Sequence, residues 1–307
     1  MEFKEKMKNA AKDAEDIIYK FLPENMGYQK TLFEAMEYSF KAGGKRLRPV
    51  IMFSTFKAFG GEGDKIYPFM AAIEMIHTYS LIHDDLPELD NDELRRGRPT
   101  NHMVYGHGMA LLAGDGLLNY AYETAVNGIK NLESVDLNRG VKALDILTNK
   151  AGIFGMIGGQ CVDVEAEKKN IDLTKDEIIF TYENKTAALL EASLMIGAIM
   201  AGCDSDTVAS LEKTGSALGQ AFQIQDDILD IKSTVEELGK PIGSDEKNGK
   251  KTFVSYTGIE EAEKIQKDLT AEAVGTLKAL EKNGKVKDKD SYDFLCSLME
   301  SLVNRRA

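Results

Sequence analysis

Between Pro99 and Pro241 the chain contains no proline, and apolar residues recur there at a spacing of three to four. Proline removes a backbone donor and clashes with the preceding turn, so its absence leaves long helices uninterrupted. Helical periodicity is predicted over residues 110–129, 141–164, 173–201 and 205–231. Before this stretch Leu32, Met36 and Phe40 form one stripe and residues 68–82 another; after it, residues 259–280 and 292–303 keep the period. The alternating pattern of strands is absent, so an all-α fold is expected. No Ser/Pro/Gly-rich linker divides residues 1–307, which favours one single-domain helical bundle.

Residues 1–31 read as a charged, amphipathic N-terminal helix without the apolar centre of a signal peptide. No apolar run approaches the ~20 residues that span a bilayer. A cytoplasmic protein with no stable membrane insertion is expected. Cys161, Cys203 and Cys296 are widely spaced, as reduced structural thiols would be. The formal net charge of −12 argues against nucleic acid as a partner. An anion could still bind, through a concentrated basic pocket or bridging cations.

Two regions, residues 232–252 and 81–100, break the helical pattern, and a run of glycines lies within it. Residues 232–252, rich in Lys and Gly, read as an exposed, mobile basic lid loop. Gly152, Gly155, Gly158 and Gly159 sit inside a helical pattern, where each costs about 1 kcal/mol relative to Ala. Close helix packing explains them, as does room beside the helix for a ligand. The other break is LIHDDLPELDNDELRRGRPT, residues 81–100, where carboxylates crowd together and arginines follow.

Two acidic motifs point to a metal. In FQIQDDILD, Asp226 and Asp230 are one turn apart, only about 40° around a helix. Like charges at that spacing destabilise a helix, and the neighbouring Phe222, Ile224, Ile228 and Leu229 are apolar. A divalent cation would remove the repulsion. Asp84 and Asp90 would be some 120° apart on an ideal helix. Pro87 ends that helix, so the chain can turn Asp90 back toward Asp84. Oxygen ligands with no nearby thiolate favour Mg²⁺, which uses one or two carboxylates and completes its shell with water and phosphate. Glu74 and His77 have the spacing of a di-iron ligand pair, but no second copy exists. A Gly-rich nucleotide loop is absent as well.

Cations accompany the carboxylates. Arg95, Arg96 and Arg98 follow the first motif, and AGGKRLRP supplies Gly43, Gly44, Lys45, Arg46 and Arg48. Guanidinium matches phosphate oxygens in bidentate fashion, and paired glycines let a backbone approach closely.

The segments GGKRLRP, IHTYSLIHDDLPELDNDELRRGRPTNH, ENKTAALLEAS, FQIQDDILD and LGKPIGSDEKNGKKTF occur in one order. From Leu32 to the terminal NRR the chain resembles the trans-isoprenyl diphosphate synthases (polyprenyl synthetases), most closely their bacterial farnesyl-forming members. The resemblance implies the isoprenoid-synthase bundle with a deep central cavity, usually as a homodimer. It implies three Mg²⁺ ions held by Asp84, Asp90 and Asp226, with Asp85, Asp227 and Asp230 in support. It assigns Gly44, Lys45, Arg48, His77 and Arg96 to isopentenyl diphosphate. Arg95, Lys185, Thr186, Gln223, Lys240 and Lys250 fall to the allylic (dimethylallyl or geranyl) diphosphate. One departure is Thr252-Phe253-Val254, where relatives often carry Thr-Tyr-Pro, which leaves the end of the lid open.

The implied reaction is head-to-tail condensation to farnesyl diphosphate and pyrophosphate, catalysed by Asp84, Asp90, Arg95, Lys185, Asp226 and Lys240. Tyr79 and Ser80 lie about one helical turn, about 5.4 Å, before Asp84. They are expected to floor the cavity and set product length. Met103 and the 152–159 glycines could reset its depth, so geranylgeranyl diphosphate is the alternative product. A terpene cyclase or a non-catalytic partner subunit fits less well, because both acidic motifs and a second set of cations are present.

Overall fold

A computed structural model describes residues 2–232 and 251–303. Helix α1 (Phe3–Ile18) and a 3-10 turn (Tyr19–Phe21) lead into α2 (Lys30–Phe40), α3 (Leu47–Ala58) and α4 (Tyr67–Asp84). After a loop come α5 (Asn101–Tyr105), α6 (His107–Lys130), α7 (Ser134–Ala151), α8 (Met156–Lys169) and α9 (Lys175–Thr181). A π-helical segment (Tyr182–Ala187) joins α9 to α10 (Ala188–Ala201), which α11 (Ser205–Lys232) follows. Beyond residue 250 lie α12 (Phe253–Thr257), α13 (Ile259–Lys282) and α14 (Lys289–Val303). The all-α expectation holds. Strand structure among the described residues is limited to β1 (Leu94–Arg95) pairing antiparallel with β2 (Arg98–Pro99).

The central helices are apolar on every side, as helices at the heart of a large bundle must be. In α10 all residues from Ala188 to Met200 are buried, and in α4 so are Phe69 to Ile76. Pro68 sits in the first turn of α4, where its missing N–H leaves no bond unmade. Helix α4 packs along α6, while α10 lies against α3, α7 and α11. A smaller apolar cluster joins Ile178, Ile224 and Ile228 to Phe253, Val254 and Ala262. Phe253 and Val254 therefore enter the core, which gives the chain after residue 252 a definite path.

The helix expected over 141–164 is two helices. Gly152 adopts an extended conformation and Gly155 has φ −144°, ψ −125°, so α7 ends at Ala151 and α8 begins at Met156. Periodicity continues across the break because both helices bury their apolar faces in one bundle. The lid assigned to 232–252 lies outside the described residues from 233 to 250. Cys161, Cys203 and Cys296 are free. No helix among the described residues is long and apolar enough to cross a membrane.

Helices α10 and α3 touch backbone to backbone at Gly197. A Cβ there would lie 2.6 Å from the Met52 carbonyl oxygen and 2.8 Å from Thr55 Cβ. Gly197→Ala should therefore destabilise the fold by about 1–3 kcal/mol, the usual effect of overpacking. Urea unfolding followed by circular dichroism measures it; an unchanged midpoint would refute the close crossing.

Candidate active site

Helix α4 carries the first acidic motif to the mouth of a hollow. Pro87 stops the helix, and the backbone folds back so that Asp90 N–H donates to the Asp84 carbonyl at 2.9 Å. Asn91, in a left-handed conformation at φ 55°, completes the turn with a bond to the Leu86 carbonyl. Two carboxylate residues that helical spacing keeps apart are thus adjacent. Asp85 points elsewhere: Arg95 donates to its Oδ1 through Nε at 2.7 Å and Nη2 at 2.6 Å. The metal set expected around Asp84 therefore divides. Asp85 is buried as a partner of Arg95, and it orients the β1 arginine rather than facing Asp84's hollow.

That hollow has a volume of about 440 Å³. Arg48, His77, Tyr79, Ser80, Asp84, Gln160, Lys185 and Thr186 line it, with apolar walls from Leu118, Met156 and Ile157. A narrow crevice adjoins it across His77 and Leu81, lined by Glu74, Asp85, Arg95 and Arg96. Tyr79 and Ser80 are among the residues that line the hollow. Met103 does not: it is 52% exposed on α5 and lines neither space. The apolar wall comes instead from Leu118 of α6 and from Met156 and Ile157, which start α8 just past the glycine break.

Lys185 and Thr186 occupy the π-helical segment, whose wider turn re-aims side chains and recurs at functional sites. Two glycines fix its position. A Cβ on Gly159 of α8 would lie 2.3 Å from Lys185 N, and one on Gly219 of α11 would lie 2.2 Å from Ala187 Cβ. Lys185 Nζ donates to Asp163 at 2.5 Å, and Thr186 Oγ1 donates to Gln223 Oε1 at 3.1 Å. Gln223 lies one turn before Asp226 and Asp227 on α11, so this bond joins the second acidic motif's helix to the cavity lip. Asp227 accepts from Tyr182 Oη at 2.5 Å and from Phe253 N–H at 3.0 Å. It thereby fastens α12 to α11. Lys240 and Lys250 lie outside the described residues.

Sequence reasoning missed the contribution of α8. Gln160 Nε2 donates to Asp84 Oδ1 at 2.9 Å, Asp163 holds Lys185, and Lys168 Nζ donates to the Leu89 carbonyl at 2.9 Å. The available signal was Gln160 and Asp163 three apart, on one helix face, directly after Gly158-Gly159.

Charge and burial conflict throughout the site. Burial pushes the Asp84 carboxyl up to about 6; Lys185 opposes the shift, while Asp90 and Asp85 add to it. Asp90 is also raised, chiefly by burial. On the cationic side, burial lowers Arg48, and its Nε is buried without a hydrogen-bond partner. Burial, then Arg48, Arg96, Arg95 and Arg46, drives His77 well below its ordinary value, so the imidazole is neutral. Arg96, at φ 55°, donates to the Gly43 carbonyl and lies over Gly44, where a Cβ would meet its guanidinium at 2.7 Å. Lys45 is exposed beside it.

Magnesium fits this donor set. Asp84 and Asp90 are close, mutually repelling oxygen donors, the first half-buried and the second exposed to solvent, a combination that a hard cation relieves. No three His, Cys, Asp or Glu side chains among the described residues already form a closed metal cage. The donors present suit an ion that takes part of its shell from water and substrate phosphate.

The polyprenyl synthetase family model matches residues 29–290. The chain is 46% identical over 230 residues to a farnesyl diphosphate synthase of Geobacillus stearothermophilus, covering 74% of this chain and 75% of that one. It is 42% identical over 259 residues to a geranylgeranyl diphosphate synthase of Cyanophora paradoxa, covering 84% of each. Among solved structures, the Helicobacter pylori geranyltransferase complexed with magnesium and isoprenyl diphosphate superposes with a TM-score of 0.79 at 33% identity. That match covers 97% of this chain and 95% of the other.

The shift at Asp84 sets a pH dependence. Its folded-state value of about 6 lies above the ordinary 3.8, so ionisation is disfavoured in the folded protein. Below pH 3.8 both states are protonated and the penalty vanishes; it grows as pH rises and is complete above about 6. Without metal, Asp84→Asn should stabilise the protein at pH 8 by about 1–3 kcal/mol and have little effect at pH 4. Urea unfolding in chelator at both pH values checks this; equal effects would show that Asp84 ionises freely.

Proposed function

The chain belongs to the polyprenyl synthetase family, and we propose that it condenses isopentenyl diphosphate head-to-tail with dimethylallyl and geranyl diphosphates. The products are farnesyl diphosphate and pyrophosphate. It is a prenyltransferase. The observation that carries the substrate reading is Arg48: a half-buried arginine whose Nε–H is buried without a partner, in the same hollow as Asp84. Such a donor is stabilised when an anion binds.

Arg48, Arg96, Lys45 and neutral His77 form the isopentenyl diphosphate subsite, with Gly44 giving the backbone clearance beneath Arg96. Lys185, Thr186, Gln223 and Arg95 hold the allylic diphosphate, with Lys240 and Lys250 assigned to the same group by the resemblance. Asp84, Asp90 and Asp226 would hold magnesium, with Asp85, Asp227 and Asp230 in support. Bound there, magnesium supplies fixed positive charge where negative charge develops on the departing pyrophosphate. Three ions are expected with substrate bound. Lys185 stands ready for the same charge, kept in place by Asp163 until a diphosphate competes for it. The apolar walls Leu118, Met156 and Ile157 exclude water from the allylic cation, which the isopentenyl double bond then attacks. The final proton leaves to the pyrophosphate, so no nucleophilic side chain is required.

The whole chain works as one domain, in the cytoplasm. A homodimer is supported by apolar side chains left at the surface of α6 and the α7–α8 junction: Leu111, Leu112, Ile153 and Phe154. These are large, and Phe154 is 76% exposed. Geranylgeranyl diphosphate is the second reading for the product, because the cavity walls beyond Tyr79 are side chains that could repack.

Product analysis with labelled isopentenyl diphosphate and C5, C10 or C15 primers tests the proposal. Farnesyl diphosphate should accumulate from the first two primers. A cyclic hydrocarbon from the C15 compound alone, or no incorporation at all, would sink it. Asp84→Ala should lose ~10²–10³ in turnover, as removal of one electrostatic contact does. Tyr79→Ala should shift the product to C20 or longer; an unchanged distribution would show that the floor lies elsewhere.

A further inference from the structure

The basic turn between α2 and α3 contains one cation that faces away from the hollow. Arg46 is 3% exposed, and its guanidinium is fully engaged. Nε donates to Glu15 at 2.9 Å, Nη1 to Glu74 at 2.7 Å, and Nη2 to both Tyr19 Oη and the Phe40 carbonyl at 2.8 Å. Tyr19 Oη in turn donates to Glu15 at 3.1 Å, and the Tyr19 ring lies 5.6 Å from the cation. Glu15 and Tyr19 belong to α1 and the turn after it, ahead of residue 29, where the family match starts.

The backbone at Arg46 is left-handed, φ 47° and ψ 38°, a conformation that L side chains hold only where their surroundings enforce it. Its position in the chain makes this consequential. On one side are Gly43, Gly44 and Lys45, with Arg96 bound to the Gly43 carbonyl. On the other, α3 starts, and the Arg46 carbonyl accepts from Val50 N–H at 3.1 Å. Arg48 leaves the first turn of α3 and reaches the hollow. The two torsions at Arg46 therefore set the angle between the glycine pair under Arg96 and the helix that aims Arg48. Glu74, the other carboxylate on Arg46, is one turn before His77 on α4. One guanidinium thus ties α1 to both walls of the isopentenyl diphosphate subsite.

We propose that Glu15 and Tyr19 are positioning residues for that subsite, acting through Arg46: the N-terminal helix holds the turn in the shape that points Arg48 and Arg96 at one diphosphate. This rests on the assignment of Arg48, His77 and Arg96 to isopentenyl diphosphate. Apart from Arg95, which Asp85 holds on β1, the allylic subsite depends on α8, the π segment and α11, none of which Glu15 or Tyr19 contacts through Arg46. The two substrates should therefore respond differently.

The test uses the full-length protein with Glu15→Gln, Tyr19→Phe, both together, and Arg46→Lys. Glu15→Gln and Tyr19→Phe nearly keep the size of the side chain, Arg46→Lys keeps the charge, and melting temperatures are measured alongside. Initial rates are taken with isopentenyl diphosphate varied at saturating geranyl diphosphate, and the reverse. In the double variant KM for isopentenyl diphosphate should rise roughly tenfold, equivalent to about 1.4 kcal/mol. The KM for geranyl diphosphate and kcat should stay within about twofold, the pattern of lost uniform binding of one substrate. Arg46→Lys, which replaces the planar fork with a point charge, should give the larger rise. Equal rises in both KM values, or none, would overturn the proposal and leave α1 as packing only. A wild-type protein that shows neither calorimetric binding nor incorporation of isopentenyl diphosphate would overturn the functional reading, and the clamp with it.

Discussion

The site depends on a close backbone approach. The segment that carries Lys185 and Thr186 runs between α8 and α11, and at each contact the neighbouring helix has a glycine, Gly159 on one side and Gly219 on the other. No side chain fits in either gap. The helical ladder accommodates the squeeze by widening into a π turn over Tyr182–Ala187. Because the segment is fixed from both sides, Lys185 meets Asp163 and Thr186 meets Gln223 without a loop having to order. Packed helices thus present these two polar groups.

Electrostatics in the hollow is unbalanced in a particular way. Carboxylates and cations are both present, yet several are not paired with each other. Asp84 has its proton affinity raised by burial and by neighbouring acids, and Arg48 is desolvated with an orphaned donor. His77 is kept neutral by burial and the surrounding arginines. Where charges are paired, as in Asp85 with Arg95 or Arg46 with Glu74 and Glu15, the pairs act as fasteners for the turns around the site. An orphaned Arg48 donor beside Asp84, with paired charges fastening the turns around them, suits a site for a polyanion and a hard cation, since each ligand removes the other's penalty.

Much of this was legible in the sequence because helical periodicity, proline placement and charge clustering are local. Pro87 between Asp84 and Asp90 indicated a turned-back loop, and the Asp90–Asp84 backbone bond is that turn. Tyr79 and Ser80 at one helical turn from Asp84 indicated the wall they form. Less visible was the division of labour within each motif. Arg46 looks like its neighbours Lys45 and Arg48 but is buried as an anchor, and Asp85 looks like Asp84 but serves Arg95. Neither distinction is encoded within a few residues. Each depends on what another helix brings opposite.

The sequence by itself determined an all-helical chain and two acidic and two basic clusters of the residue types that diphosphate chemistry needs, because these follow from spacing along one strand of polymer. Tertiary structure alone decided which of those side chains face the hollow, that α7 and α8 part at Gly152–Gly155, and that Gln160, Asp163, Glu15 and Tyr19 belong to the arrangement. The physical reason is that burial and pairing are properties of contacts between distant segments, and those exist only once the helices have packed.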